Sequence, residues 1–206
     1  MNGKESFSID LIAQALKDAK SAAVCFGGGK DSMALLHMAR TTGLPFRALT
    51  ADPPQRYTEL YYFIEKVGRL WGADVLRLAG TLPTTEKYAL CAKLHPALPA
   101  LLQAATAHGF THALTGFRRE ETGSAGAGHV MDCGGITLVN PLLDFTESEI
   151  WEYTDRNNLP RCSVYRDGRT KVGCLPEAVK NAPGEEFYMS SEEMLIKSRL
   201  KDLGYI

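Results

Sequence analysis

The sequence lacks an excess of charge of either sign, because its 23 lysine and arginine residues are balanced by 24 aspartate and glutamate residues. A net charge of -1 gives no overall basic field that would attract nucleic acid or an anionic membrane. No run of about 18 apolar residues exists, so no transmembrane helix is predicted. The N-terminal residues, Met-Asn-Gly-Lys-Glu-Ser, lack the apolar core of a secretion signal. We therefore expect no membrane attachment, no nucleic-acid partner and a cytoplasmic location.

Cysteine is scarce and its count is odd, with five residues in the chain and none after Cys174. An odd, small number fits a reduced compartment better than a disulfide framework. The closely spaced cysteine and histidine pairs that zinc sites use are also missing. The sequence therefore favours reduced cysteines over a disulfide-stabilised fold and gives no reason to expect zinc.

Three consecutive glycines are the most informative feature that is present. The apolar run over 22–26 predicts a buried strand, Gly27–Gly29 form a turn, and a helical pattern follows over 31–42. Glycines let the backbone approach a ligand closely, and a helix N-terminus directs its amide groups at an anion. Lys30 adds a positive charge and Ser32 a hydroxyl at the helix start. This segment predicts a nucleotide bound through its phosphates.

Two common phosphate-binding patterns do not fit this segment. The Walker P-loop requires Gly-Lys-Ser/Thr, whereas Asp31 follows Lys30 here. The dinucleotide pattern Gly-x-Gly-x-x-Gly fails because Ser32 occupies its last glycine position. The loop therefore belongs to another kind of nucleotide site.

Strand and helix patterns alternate along the chain, which is typical of a parallel sheet covered on both faces. We predict an α/β fold with a doubly wound, mostly parallel five-stranded sheet, a nucleotide-binding domain over 1–158 and a C-terminal extension over 159–206 packed on it. Predicted strands lie at 22–26, 46–51, 74–78 and 112–115, with a hairpin at 130–132 and 136–139. Predicted helices lie at 6–20, 31–42, 57–71, 84–94, 97–108, 146–157 and 190–203, with a loop over 159–189.

Three groups of polar residues fall at the carboxyl ends of predicted strands, where ligands bind in such sheets. The glycine loop follows the first strand, Asp52 the second, and Gly116 with Arg118 and Arg119 the fourth. The planar guanidinium of arginine suits phosphate or sulfate, because it donates two parallel hydrogen bonds. We expect these groups to form one site.

The glycine loop resembles the Ser-Gly-Gly-Lys-Asp-Ser loop of ATP pyrophosphatases, the PP-loop, with Gly27 in place of the first serine. Thr-Gly-x-Arg-Arg-Glu at 115–120 is similar to the arginine motif of phosphoadenosine-phosphosulfate (PAPS) reductases in the same superfamily. Pro141–Tyr153, Val164-Tyr165 and Gly173-Cys174-Leu175-Pro176 also resemble segments of that family. The resemblance extends over roughly residues 20–180.

The resemblance implies an adenine-nucleotide alpha hydrolase fold and cleavage of ATP, with Mg²⁺, between its α- and β-phosphates. It implies transfer of the adenylyl group to an unknown acceptor, in sulfur metabolism or sulfur transfer. The catalytic candidates are Lys30, Asp31, Arg118 and Arg119, and Mg²⁺ is assigned to Asp31 or Asp52. The nucleotide-contacting candidates are Phe26, Gly27, Gly28, Gly29, Lys30, Ser32, Thr50, Asp52 and Gly116.

Several alternatives stay open at this point. PAPS reductases attack sulfur with a cysteine near the C-terminus, which this chain lacks beyond Cys174, so reduction of a sulfonucleotide is the second hypothesis. A non-catalytic nucleotide-binding module and the small subunit of an ATP sulfurylase are others. Iron–sulfur members of the family place cysteines near the positions of Cys91 and Cys174, so these are the candidate cluster ligands. Family habit also implies a homodimer.

Overall fold

A computed structural model describes residues 3–52, 58–79, 98–122 and 127–167. Helices and strands alternate along most of this length, and a short 3₁₀ helix, Ser163–Asp167, ends it. The helices are α1 (Gly3–Asp18), α2 (Lys30–Thr41), α3 (Thr58–Trp71), α4 (Leu98–Ala107), α5 (Arg119–Thr122) and α6 (Glu147–Arg156). The strands are β1 (Ala22–Cys25), β2 (Arg47–Asp52), β3 (Val75–Ala79), β4 (His112–Leu114), β5 (Val130–Cys133) and β6 (Ile136–Val139).

The strands form one sheet in the order β3-β2-β1-β4-β6-β5. All neighbouring pairs are parallel except β5 and β6, which pair antiparallel. The α/β class and the mostly parallel sheet are confirmed, but the sheet has six strands rather than the predicted five. The difference arises at the hairpin, where Gly134 and Gly135 both have positive φ angles and turn β5 back onto the sheet edge.

Helices cover both faces of the sheet, as predicted. One apolar cluster joins the sheet to α1, α2, α3 and α6, and a second joins the other face to α4. Strand β1 contributes side chains to both clusters, because Val24 belongs to the first cluster and the preceding Ala23 to the second. Leu159, Cys162 and Val164, which follow α6, are buried in the first cluster.

The predicted helix over 146–157 is observed as α6, with Thr146 and Glu149 forming the expected capping box. The 3₁₀ helix lies inside the stretch predicted to be loop, and α5 was not predicted, because one turn is too short for a helical pattern. The helices predicted over 84–94 and 190–203 lie outside the described residues. Within the described ranges, no helix has the length and apolar character that crossing a membrane requires.

Candidate nucleotide site

The glycine loop connects buried β1 to α2, and two physical reasons require glycine at its second position. Gly28 has a φ of 81°, and a Cβ there would lie 2.5 Å from the Leu60 side chain. Gly29 is the N-cap of α2 and has no side chain with which to cap the helix. By contrast, a Cβ at Gly27 would meet nothing within 4 Å. The loop thus presents the first turn of α2 as a site for an anion.

Phe26 and Ser32, both predicted to contact the nucleotide, are engaged within the loop. Phe26 is fully buried in the core and donates its backbone N–H to the Leu49 carbonyl at 2.8 Å. The Ser32 hydroxyl donates to the Gly29 carbonyl at 2.9 Å. These contacts fix the conformation of the loop relative to β2 and α2.

A tyrosine hydroxyl lies on the glycine loop. The Tyr165 hydroxyl accepts the backbone N–H of Lys30 at 2.8 Å, and it lies 3.4 Å from where a Cβ of Gly29 would be. Burial raises the pKa of Tyr165, so the hydroxyl stays neutral. The tyrosine ring meets the Trp151 ring edge-on at 5.2 Å between centroids. Its oxygen therefore accepts the first backbone N–H of α2.

Lys30 is buried at the start of α2, and its ammonium group is paired. Its Nζ lies 3.2 Å from Asp31 and 3.4 Å from Glu147, the first residue of α6. It also lies 5.9 Å from the centre of the Trp151 ring. The side chain is only 2 % exposed, so its charge is directed into this pocket of carboxylates and not into solvent.

The two adjacent arginines point in different directions. Arg118 is 1 % exposed and pairs with Asp31 at 2.6 Å, Glu120 at 2.6 Å and Glu121 at 3.1 Å. Burial acts to lower the pKa of Arg118, but the carboxylates, Asp31 foremost, more than offset this and raise it. Arg118 therefore fixes Asp31 at the first turn of α2, and its guanidinium is occupied by protein carboxylates.

Arg119 turns outward and binds Asp144. Its Nε and Nη2 both donate to Asp144 Oδ1, at 3.0 and 2.8 Å. His129 Nε2 lies 2.9 Å from the other oxygen of the same carboxylate. The hydrogen bonds from Arg119 hold the pKa of Asp144 below its usual value, despite partial burial.

Gly116 and Thr50 complete the sheet edge around the loop. A Cβ at Gly116 would lie 3.0 Å from the backbone of Asp31, so this glycine allows the segment after β4 to pass against α2. Thr50 is buried in β2. Asp52 ends β2 with its backbone paired in register with Ala79, and only its backbone is described.

The structure brings Lys30, Asp31 and Arg118 together with the glycine loop, as the shared sheet edge predicted. Sequence reasoning missed Tyr165 and Glu147 as site residues, although both lie in the segments that resemble the PAPS reductases. That resemblance was the signal that could have indicated Tyr165. Local sequence patterns could not, because 135 residues separate Tyr165 from Lys30.

The two cysteines predicted to bind a cluster are not among the cysteines that the structure describes. Cys91 and Cys174 lie outside the described residues. Among the described residues, Cys25, Cys133 and Cys162 form no disulfide, and burial raises the pKa of Cys25 to about 12. Across the described ranges, no three histidine, cysteine, aspartate or glutamate side chains group to hold a metal ion.

The family model "Phosphoadenosine phosphosulfate reductase domain" matches residues 21–180. The adenosine 5'-phosphosulfate reductase of Allochromatium vinosum is 24% identical, covering 84% of this chain and 74% of that one. Sulfate adenylyltransferase subunit 2 of Myxococcus xanthus is 27% identical, covering 78% of this chain and 65% of the subunit.

A solved structure shares the fold. The phosphoadenylyl-sulfate (PAPS) reductase of Candida auris, in its phosphate complex, superposes with a TM-score of 0.63 at 16% identity. The match covers 82% of this chain and 88% of the reductase chain. At this level of identity the match establishes a common architecture.

Proposed function

The chain belongs to the phosphoadenosine phosphosulfate reductase domain family, and from this premise we propose that it is an enzyme that cleaves ATP to AMP and pyrophosphate by adenylating an acceptor. Relatives named as a sulfonucleotide reductase and as an adenylyltransferase subunit support an adenine nucleotide as the ligand and sulfur metabolism as the setting. The observation that carries the proposal is the glycine loop, which presents the first turn of α2 beside a buried lysine.

In the proposed complex, the phosphates lie on the loop and the first-turn amides of α2. The Lys30 N–H, which donates to the Tyr165 hydroxyl in the structure, donates to a phosphate oxygen instead. The Lys30 ammonium, which the structure pairs with Asp31 and Glu147, turns from these carboxylates to the phosphates in this proposal. There it stabilises the charge that develops on the leaving pyrophosphate. Arg118 contributes indirectly, since its contact with Asp31 keeps the start of α2 in place. Such a reaction depends on positioning and charge more than on covalent chemistry.

The adenine is assigned to the end of β2, beside Thr50 and Asp52. Strands β2 and β1 are neighbours, so a nucleotide with its base at the end of β2 reaches the glycine loop after β1. This arrangement follows the rule that open parallel sheets bind ligands at the carboxyl ends of their strands.

Magnesium enters this proposal as part of the substrate, MgATP. Asp31 does not fit the role of a magnesium ligand in its described arrangement, because Arg118 and Lys30 already pair with its two oxygens. Asp52 stays the predicted contact for the ion. The iron–sulfur role of Cys91 and Cys174 likewise stays a prediction, and no step of the mechanism depends on it.

The proposal is tested by incubating the protein with Mg²⁺ and ATP labelled at the α-phosphate, followed by separation of the products. We expect AMP and pyrophosphate, with formation abolished in Lys30→Met and retained in the surface control Lys17→Met. Formation of ADP and orthophosphate would contradict cleavage between the α- and β-phosphates. Trials with sulfate and other oxyanions as added acceptors should raise the rate if one of them is the acceptor.

The second candidate function is reduction of a sulfonucleotide, favoured by the similarity to the Allochromatium vinosum reductase. It predicts release of sulfite from adenosine 5'-phosphosulfate or PAPS when reduced thioredoxin is supplied. Sulfite release without ATP cleavage would favour this candidate over adenylation. Nucleotide binding with neither reaction would instead indicate a non-catalytic module.

A further inference from the structure

Two carboxylates hold the ammonium group of Lys30, and they differ in what else they contact. Lys30 Nζ lies 3.2 Å from Asp31 Oδ2 and 3.4 Å from Glu147 Oε1. The other oxygen of Asp31 accepts the Nε–H of Arg118 at 2.6 Å. Among the described residues, Glu147 forms a salt bridge with Lys30 alone. If Lys30 turns to a phosphate, Asp31 therefore keeps a countercharge, whereas Glu147 loses its partner.

The backbone of Glu147 is fixed, so a displaced carboxylate stays close to the site. The Glu147 N–H donates to Glu120 Oε2 at 3.1 Å. The capping box of Thr146 also holds the start of α6, and Ile150 farther along this helix is fully buried in the core. The carboxylate of Glu147 therefore swings on its own side chain from a stationary helix and remains within reach of Lys30.

The two partners of this salt bridge also differ in their access to water. The Glu147 side chain is 38% exposed, whereas that of Lys30 is 2% exposed. A carboxylate in such a position is hydrated when a ligand displaces it, so its displacement costs little. A buried ammonium group has no water to replace a lost partner, and leaving it unpaired is strongly unfavourable. Lys30 therefore exchanges one anionic partner directly for another.

A bound pyrophosphate would lie beside the carboxylate that it displaces. Like charges a few ångströms apart repel, so the unpaired Glu147 raises the free energy of the complex. The same repulsion is absent when Glu147 pairs with Lys30, as it does in the structure. In the proposed complex ATP is also held through its adenine at the end of β2, whereas pyrophosphate keeps only the contacts of the loop after cleavage. Glu147 therefore acts most strongly on the product.

We propose that Glu147 competes with pyrophosphate for Lys30 and thereby speeds the release of this product. The inference rests on the proposed cleavage of ATP. As pyrophosphate leaves, the Lys30 ammonium returns to Glu147, so the buried charge keeps a partner throughout the exchange. No covalent bond forms or breaks in this step, and no proton is transferred. Glu147 is thus a positioning residue that acts through Lys30 on the rate of product release.

The proposal is tested by the dissociation rate of pyrophosphate, which requires neither ATP nor an acceptor. The protein is loaded with radiolabelled pyrophosphate, mixed with an excess of unlabelled pyrophosphate and sampled by rapid filtration. We expect Glu147→Gln to slow dissociation about three- to tenfold, because the competing charge is removed. The dissociation constant should fall by a similar factor, since changes at a binding site act mainly on dissociation. Glu147→Asp should keep part of the fast release, because it retains the charge on a shorter side chain.

Two further variants separate local competition from an effect of net charge. Glu152→Gln removes the same charge from an exposed position on α6, where Glu152 contacts the Ser148 hydroxyl, and should release pyrophosphate at the wild-type rate. Glu121→Gln removes a charge that pairs with Arg118 at 3.1 Å instead of with Lys30. It should slow release by less than Glu147→Gln does.

The outcomes distinguish this inference from the proposed function. Release that is slowed most in Glu147→Gln supports the inference. Unchanged or faster release from Glu147→Gln, with pyrophosphate bound by both proteins, overturns it and leaves the proposed cleavage of ATP intact. Equal slowing in Glu121→Gln would show an effect of net charge and would also overturn it. Absence of saturable pyrophosphate binding in the wild type and in Glu147→Gln would overturn the proposed function together with the inference.

Discussion

Replacing Tyr165 with phenylalanine should tighten the binding of ATP. The Tyr165 hydroxyl accepts the Lys30 N–H at 2.8 Å, so a phosphate that uses this N–H in the proposed complex has to replace that contact. A neutral hydrogen bond of this kind contributes about 0.5–1.5 kcal/mol net, which corresponds to roughly a two- to tenfold lower dissociation constant in the variant. The phenylalanine ring retains the packing against Trp151, whose ring lies 5.2 Å away between centroids.

The assay is calorimetric titration with the α,β-methylene analogue of ATP, which cannot be cleaved at the bond in question. Trp151 provides a second readout, because moving the neighbouring Tyr165 ring should change its fluorescence on binding. Tyr62→Phe, at an exposed position on α3, is the matched control and should leave the affinity unchanged. Weaker binding in Tyr165→Phe would refute the reasoning, because it would show that the hydroxyl contacts the nucleotide instead of competing with it.

Three further predictions concern stability. Gly28→Ala should cost about 1–3 kcal/mol of unfolding free energy, because its φ is positive, whereas Gly27→Ala, with open space around it, should cost far less in urea titration. Arg118→Gln should cost about 1–3 kcal/mol, because it removes a buried guanidinium that pairs with three partly exposed carboxylates, whereas Arg119→Gln at the surface should cost at most about 1 kcal/mol; equal losses would contradict this burial argument. Burial, assisted by a neighbouring positive charge, lowers the pKa of His37, so the wild type should lose stability as the pH falls below about 6.5. His37→Gln should flatten that dependence, and an unchanged pH profile would exclude His37 as its source.

The glycine loop could be predicted from the sequence because its determinants are local. An apolar strand, three glycines and a helix start follow one another within a few residues, and their conformations follow from residue type. The shared sheet edge was also predictable, because alternating strands and helices give parallel strands whose carboxyl ends coincide.

The orientation of charged side chains could not be predicted, because it depends on partners distant in sequence. Arg118 pairs with Asp31, 87 residues away, and this contact turns it inward while Arg119 faces outward. The sequence predicts that both arginines bind phosphate, since it places them side by side. The hydroxyl of Tyr165 reaches the loop over a still longer separation, and only the folded core brings the two together.

We propose that the glycine loop and Lys30 bind the pyrophosphate portion of the nucleotide. The most direct measurement is calorimetric titration of the wild type and Lys30→Met with pyrophosphate itself, which requires neither an acceptor nor turnover. We expect saturable binding to the wild type that weakens at least about tenfold in the variant, because a charge-assisted contact is lost. ATP binding without measurable affinity for pyrophosphate, or equal affinity in the two proteins, would contradict the account.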